Sequence, residues 1–132
     1  MNEVLEFLRA NKVFFMATVD GDAPKVRPLG FVMEYDGKIY FGVGQQKDVY
    51  KQMKANPKVE ITSVSQEAKW VRLHGTAVFD ERPEVFEAAV RVLPVLKDMY
   101  GDPGGPRLGA FYLKEAEAVF YDMQGNTRKV NL

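Results

Sequence analysis

Apolar residues along this chain follow two rhythms, a helical one and a strict alternation, and the second dominates. Behind Asn2, a capping residue with Glu3 in the first turn, Val4, Leu5, Phe7 and Leu8 fall on one side at helical spacing and Asn11 ends the run. Val13 to Asp20 is β-branched and aromatic and predicts a buried strand, followed by a turn at Asp20-Gly21-Asp22-Ala23-Pro24. Lys25 to Tyr35 predicts a second strand interrupted at Pro28 and Gly30. Asp36-Gly37 is a hairpin signal, and Lys38 to Gly42 is the third strand. Lys47 to Ala55 predicts a helix with Val49, Tyr50 and Met53 on one face, stopped by Asn56-Pro57. Strands follow over Lys58 to Ser65 and Trp70 to Asp80.

Arg82-Pro83-Glu84 opens another helix, with Val85, Phe86, Ala89, Val90 and Leu93 as its apolar stripe. Pro94 breaks it, and a second piece is expected to run to Tyr100. Gly101 to Pro106 reads as an irregular loop. Leu108 to Lys114 and Glu117 to Asp122 are the last expected strands, and a turn at Gly125-Asn126 precedes a short tail. The pattern predicts a mainly β fold: six or seven antiparallel strands closing into a β-barrel with helical inserts. At 132 residues the chain is expected to form one domain, residues 1–132.

Composition removes several function classes. Eighteen basic and eighteen acidic residues leave no net charge, so no global field draws nucleic acid or an anionic membrane. With no cysteine, thiolate metal sites, thiol nucleophiles and disulfides are absent. The single histidine, His74, argues against a histidine-built metal site within one chain. No apolar run reaches the roughly 20 residues of a membrane span, and the first residues lack a basic signal-peptide region. The expected location is the cytoplasm.

Four segments carry candidate chemistry. In Lys25-Val26-Arg27-Pro28-Leu29-Gly30-Phe31, Pro28 belongs at a strand edge or bulge, Gly30 permits close approach to the backbone, and Arg27 can grip a phosphate bidentately. An edge strand with a solvated arginine fits those residues equally well. Gly42-Val43-Gly44-Gln45-Gln46-Lys47-Asp48 leads from a strand into a helix, where free N–H groups and a lysine make an anion site. It lacks both the Gly-Lys-Ser/Thr of a P-loop and the third glycine of a dinucleotide fingerprint, and an ordinary turn is the plainer reading. Alternation puts Trp70, Arg72 and His74 on one face, which suits an interface or a pocket for an aromatic anion. His74 is read as a surface or interface residue rather than a catalytic one. Asn56 to Ile61 reads as a helix stop and a strand.

In order, Phe15 to Gly21, Pro24 to Phe31, Ile39 to Gly44, Lys47 to Met53, Asn56 to Ile61 and Trp70 to Gly75 resemble the pyridoxamine 5′-phosphate oxidase-like FMN-binding split barrels, and among them the short nitroimidazole-reductase-like members. The resemblance implies a homodimer with FMN at the subunit interface. It places Arg27 and Lys47 on the phosphate, and Arg27, Pro28, Leu29 and Gly30 along the flavin. Phe41, Gly42 and Val43 would pack on the ring system, with Asp48, Val49 and Gln52 in the adjoining turn and helix start. Trp70, Arg72 and Tyr100 are candidates for ring or substrate contacts from the other subunit. The longer family members carry a C-terminal tryptophan and arginine for the vitamin phosphate; no such tryptophan follows Gly125 here, which argues against vitamin B6 oxidation.

The implied function is an FMN-dependent oxidoreductase that passes electrons from a nicotinamide donor to a small acceptor such as a nitroaromatic or quinone. A flavin carrier or redox sensor without turnover is the alternative, and a haem- or F420-binding relative is a third. No catalytic side chain is required, because a bound flavin carries the redox chemistry itself.

Overall fold

The computed structural model describes residues 2–132. Asn2 opens α1 (Glu3–Asn11): its side-chain oxygen accepts from the backbone N–H of Val4 at 2.8 Å. β1 (Phe14–Asp20) and β2 (Ala23–Leu29) form a hairpin, and β3 (Val32–Tyr35) and β4 (Lys38–Gly44) form another. The turn between β3 and β4 has positive φ at both Asp36 (54°) and Gly37 (73°), as its sequence demands. Then come α2 (Asp48–Ala55), β5 (Lys58–Val64), β6 (Trp70–Phe79), α3 (Pro83–Val92), α4 (Val95–Tyr100), β7 (Leu108–Tyr121) and β8 (Thr127–Val130).

All pairings are antiparallel, in the order β2-β1-β5-β6-β7-β4-β3, with β8 added to the upper part of β7. The path does not close into a ring. β2 and β3 are its two ends, so the mainly β fold with helical inserts is an open, split barrel. The described residues hold eight strands against the expected six or seven: two are gained, and two expected strands merge into β7. The segment from Lys25 to Tyr35 is not one strand: Gly30 and Phe31 turn the corner from one sheet edge to the other. The tail after Gly125 is a strand that pairs Thr127 to Val130 with Ala118 to Tyr121.

The break expected near Lys114 is a β-bulge within a single strand. His74 pairs with Glu117 and Thr76 with Lys114, and the extra residue Glu115 sits at φ 53°. Gly75 lies opposite, where an added Cβ would come within 3.0 Å of the Lys114 carbonyl oxygen. Glycine thus lets the two strands cross closely at the bend.

β4 is buried on both faces and divides the core. Phe41 and Val43 point into the barrel with Phe14, Met16, Ile61, Leu73 and Phe111. Tyr40 points the other way, under α3 and α4, with Met33, Val85, Ala89 and Leu96. The expected α3 stripe packs on this second cluster, with Val85 and Ala89 buried beside Ala88 and Phe86 and Val90 partly buried, except that Leu93, just past the helix, stays 38% exposed. Tyr40 donates to Asp80 Oδ2 at 2.7 Å, and Arg82 grips both oxygens of the same carboxylate. Among the described residues, no helix is long and apolar enough to cross a membrane.

Candidate functional site

A cleft of about 670 Å³ lies at the seam where the barrel fails to close. One wall is the edge strand β2, from Lys25 to Leu29. The other is the end of β4 at Gly42, Val43 and Gly44. The start of α2 supplies Lys47, Asp48, Val49 and Gln52, Tyr100 comes from the end of α4, and Asp20 completes the lining. Because β2 pairs only with β1, its other backbone edge is unpaired. Pro28 stands on this edge strand, where the missing N–H costs no ladder bond on the open side.

Arg27 is the centre of the cleft's polar chemistry. It is partly buried, and its neighbours are all neutral acceptors. Nη1 donates to the Met16 carbonyl oxygen at 3.2 Å and to Thr18 Oγ1 at 2.7 Å; Nη2 donates to Gln52 Oε1 at 2.7 Å. No carboxylate among the described residues lies within the 4.0 Å of an ion pair. Burial accordingly lowers the pKa of the guanidinium. A cation withdrawn from water without a partner anion costs free energy, and an incoming anion would recover it.

The helix start adds donors. Lys47 stands at the N-cap of α2 with no side chain capping the first turn; its own N–H bonds the Gly44 carbonyl and the Tyr50 N–H the Lys47 carbonyl, which leaves the Asp48 and Val49 N–H groups for a ligand. Lys47 is itself exposed, and the carboxylates Asp20 and Asp48 also line the cleft. The apolar lining is Val43 and Val49, 4% and 6% exposed, with Leu29 and Pro28. Tyr100 is buried, and burial raises the pKa of its phenol. At Gly42 a Cβ would point at Leu108 and Phe31, coming within 2.8 Å of Leu108 Cδ1, so glycine there makes room for packing behind the wall.

The structure brings together Arg27, Pro28, Leu29, Gly42, Val43, Lys47, Asp48, Val49, Gln52 and Tyr100 around this one cleft. The remaining expected residues lie elsewhere. Phe41 is 1% exposed, stacked on Phe111 and edge-on to Phe14, so its side chain serves the barrel core and not the cleft. Gly30 sits at the corner beyond β2, outside the lining; a Cβ there would meet only the Lys12 carbonyl oxygen, at an ordinary 3.7 Å. Trp70 and Arg72 are on the outward face of β6. Trp70 stacks on Tyr121 with ring centroids 5.4 Å apart, and Arg72 pairs with Glu60. Within one subunit neither reaches the cleft.

Sequence reasoning missed Thr18 and Asp20, and gave no role to Lys25, Val26 and Gly44, which stand in its candidate segments and line the cleft. A signal for Thr18 was present: alternation from Phe14 and Met16 puts a hydroxyl on an otherwise apolar, inward face. It is 2% exposed.

The chain is similar in sequence and fold to known proteins. The family model for pyridoxamine 5′-phosphate oxidase matches residues 1–120. A NimC/NimA family protein of Clostridium acetobutylicum is 40% identical, with 98% of this chain and 90% of that one covered at a TM-score of 0.90. The fold alone is shared with a pyridoxamine 5′-phosphate oxidase-related, FMN-binding protein of Nostoc punctiforme (14% identity, 97% and 92% covered, TM-score 0.65). The same holds for general stress protein 26 of Bacillus anthracis (14% identity, 97% of each chain, TM-score 0.69). Among curated proteins none matches. The chain belongs to the pyridoxamine 5′-phosphate oxidase family of flavin-binding split barrels, alongside its short NimC/NimA-like members.

Proposed function

We propose that the seam cleft binds FMN and that the protein is an FMN-dependent oxidoreductase. The observation that carries this reading is Arg27, a partly buried cation with only neutral partners, facing a cleft that also offers an uncapped helix start and Lys47. An FMN phosphate brings about two negative charges. Arg27, Lys47 and the first-turn N–H groups of α2 would hold it. The ring system would lie along the open edge of β2 from Arg27 to Leu29, against Gly42, Val43 and Val49. When bound, FMN supplies the redox chemistry, taking electrons from a nicotinamide donor and giving them to a small acceptor such as a nitroaromatic or quinone. The protein's part is to bind, orient and shield from water.

The same reading makes the protein a homodimer. The outward face of β1, β5 and β6 leaves Phe15 and Val64 44% and 59% exposed beside the Trp70–Tyr121 stack. A second copy would cover these apolar groups and bring Trp70 and Arg72 toward the partner's site. Within one subunit His74 lies on that outward face beside Glu117 and does not line the cleft, so the phosphate grip of Arg27 favours FMN over haem.

The test is the visible spectrum of the purified protein, followed by titration with FMN and then with NADH or NADPH and acceptors. A flavin spectrum, saturable FMN binding and turnover faster than free FMN are expected. Binding with no turnover above free FMN would leave a carrier or sensor. A colourless protein that takes up no FMN would end the proposal.

A further inference from the structure

We infer that Thr18 is a positioning residue for the anion end of the cleft. The inference rests on the FMN reading of that cleft. Thr18 does not line the cleft; it stands behind Arg27 and Gln52, which do.

The three side chains form a closed ring of hydrogen bonds whose direction is fixed by chemistry. A guanidinium only donates. The Gln52 atom 2.7 Å from Arg27 Nη2 is therefore the amide oxygen. Arg27 Nη1 likewise donates to Thr18 Oγ1 at 2.7 Å, so that hydroxyl is an acceptor there. Its own proton is then free to go to Gln52 Oε1, 2.6 Å away.

Two consequences face the cleft. The Gln52 oxygen is occupied by two donors, which turns the amide NH2 group away from Arg27 as a further donor. The guanidinium is held at three acceptors, leaving its remaining N–H groups for a ligand. The ring thus presents donors and no acceptors, which suits a phosphate. Without the hydroxyl, Arg27 Nη1 keeps only the longer bond to the Met16 carbonyl, and the Gln52 oxygen is held by Arg27 Nη2 alone, so both side chains are less firmly oriented toward the anion.

The experiment is FMN titration of wild type, Thr18→Val, Thr18→Ser, Arg27→Met and the Thr18→Val/Arg27→Met double variant, with circular dichroism to show folding. Valine is close in shape and removes only the hydroxyl chemistry. Thr18→Val is expected to weaken FMN binding about tenfold. Thr18→Ser should restore it to within about threefold of wild type, and Thr18→Val should add nothing once Arg27 is gone. If Thr18→Val fails to fold, Thr18→Ala carries the same expectation. Wild-type affinity in a folded Thr18→Val protein, or an undiminished effect of it in the Arg27→Met background, overturns this inference alone. Wild type that takes up no FMN overturns the reading of the cleft and this inference with it.

Discussion

Arg27→Met separates the two roles an arginine can have in this cleft. Three of the five N–H donors of the guanidinium go to the Met16 carbonyl, Thr18 and Gln52, which leaves two for an anion. A hydrogen bond between charged partners contributes about 1.5–3 kcal/mol. Losing both, less what water and Lys47 replace, predicts a drop in FMN affinity of roughly 3 kcal/mol, on the order of a hundredfold. The ligand-free protein responds differently. Methionine keeps the aliphatic stem, and the variant no longer holds a half-buried cation without an anion. That relief offsets the three lost bonds, so the unfolding free energy of flavin-stripped protein should stay within about 1 kcal/mol of wild type. The assays are fluorescence titration with FMN and urea unfolding of the stripped protein. FMN binding as tight as wild type would place the phosphate elsewhere. A loss above about 3 kcal/mol without ligand would make Arg27 a structural residue and sink the argument from its missing counter-ion.

Tyr40→Phe removes a buried donor to Asp80 and should cost about 1 kcal/mol at neutral pH, read by thermal melting. Burial, then the Asp80 carboxylate, holds the Tyr40 phenol up at about 12 against an ordinary 10.0. A raised pKa is stabilising below the unfolded value and is lost through the folded one, so wild-type stability should fall between pH 10 and 12 and the variant should fall less steeply. Gly37→Ala places a Cβ at φ 73° and should cost about 1 kcal/mol without affecting FMN binding. Phe15→Glu with Val64→Glu should turn a dimer into a folded monomer by light scattering; a dimer that survives both would put the interface elsewhere.

Much of the fold was legible because local chemistry and tertiary structure agree. Asn2 caps α1, Asp36-Gly37 turns the hairpin, and Asn56 follows the last residue of α2. What misled was continuity. Gly30 reads as an interruption within a strand, yet it is the corner between the two free edges, and only the sheet order shows that. Glu115 gives no turn signal, because the bulge there is set by the crossing over Gly75. At the site, Arg27 is legible as a cation on a strand interrupted by Pro28 and Gly30, and Lys47 as a cation after a glycine-rich turn. Phe41 belongs to the strand end expected on the ring system, yet its side chain is in the core, because β4 is buried on both faces and alternation alone does not say which face a ligand takes. Thr18 was passed over because its meaning depends on Gln52, thirty-four residues away.

The place of β7 in the sheet bears on how the chain can be made. The β3–β4 hairpin pairs with the rest of the sheet only through β7, and β7 also carries β6 and β8. During synthesis, one wall of the cleft is therefore in hand early as β2, while the other has no sheet to join until residue 108 onward leaves the ribosome. The nascent chain spends that interval with Phe41 and Val43 unsheltered, so the long strand β7 is where assembly becomes all-or-none and where a truncated product would be most exposed to aggregation.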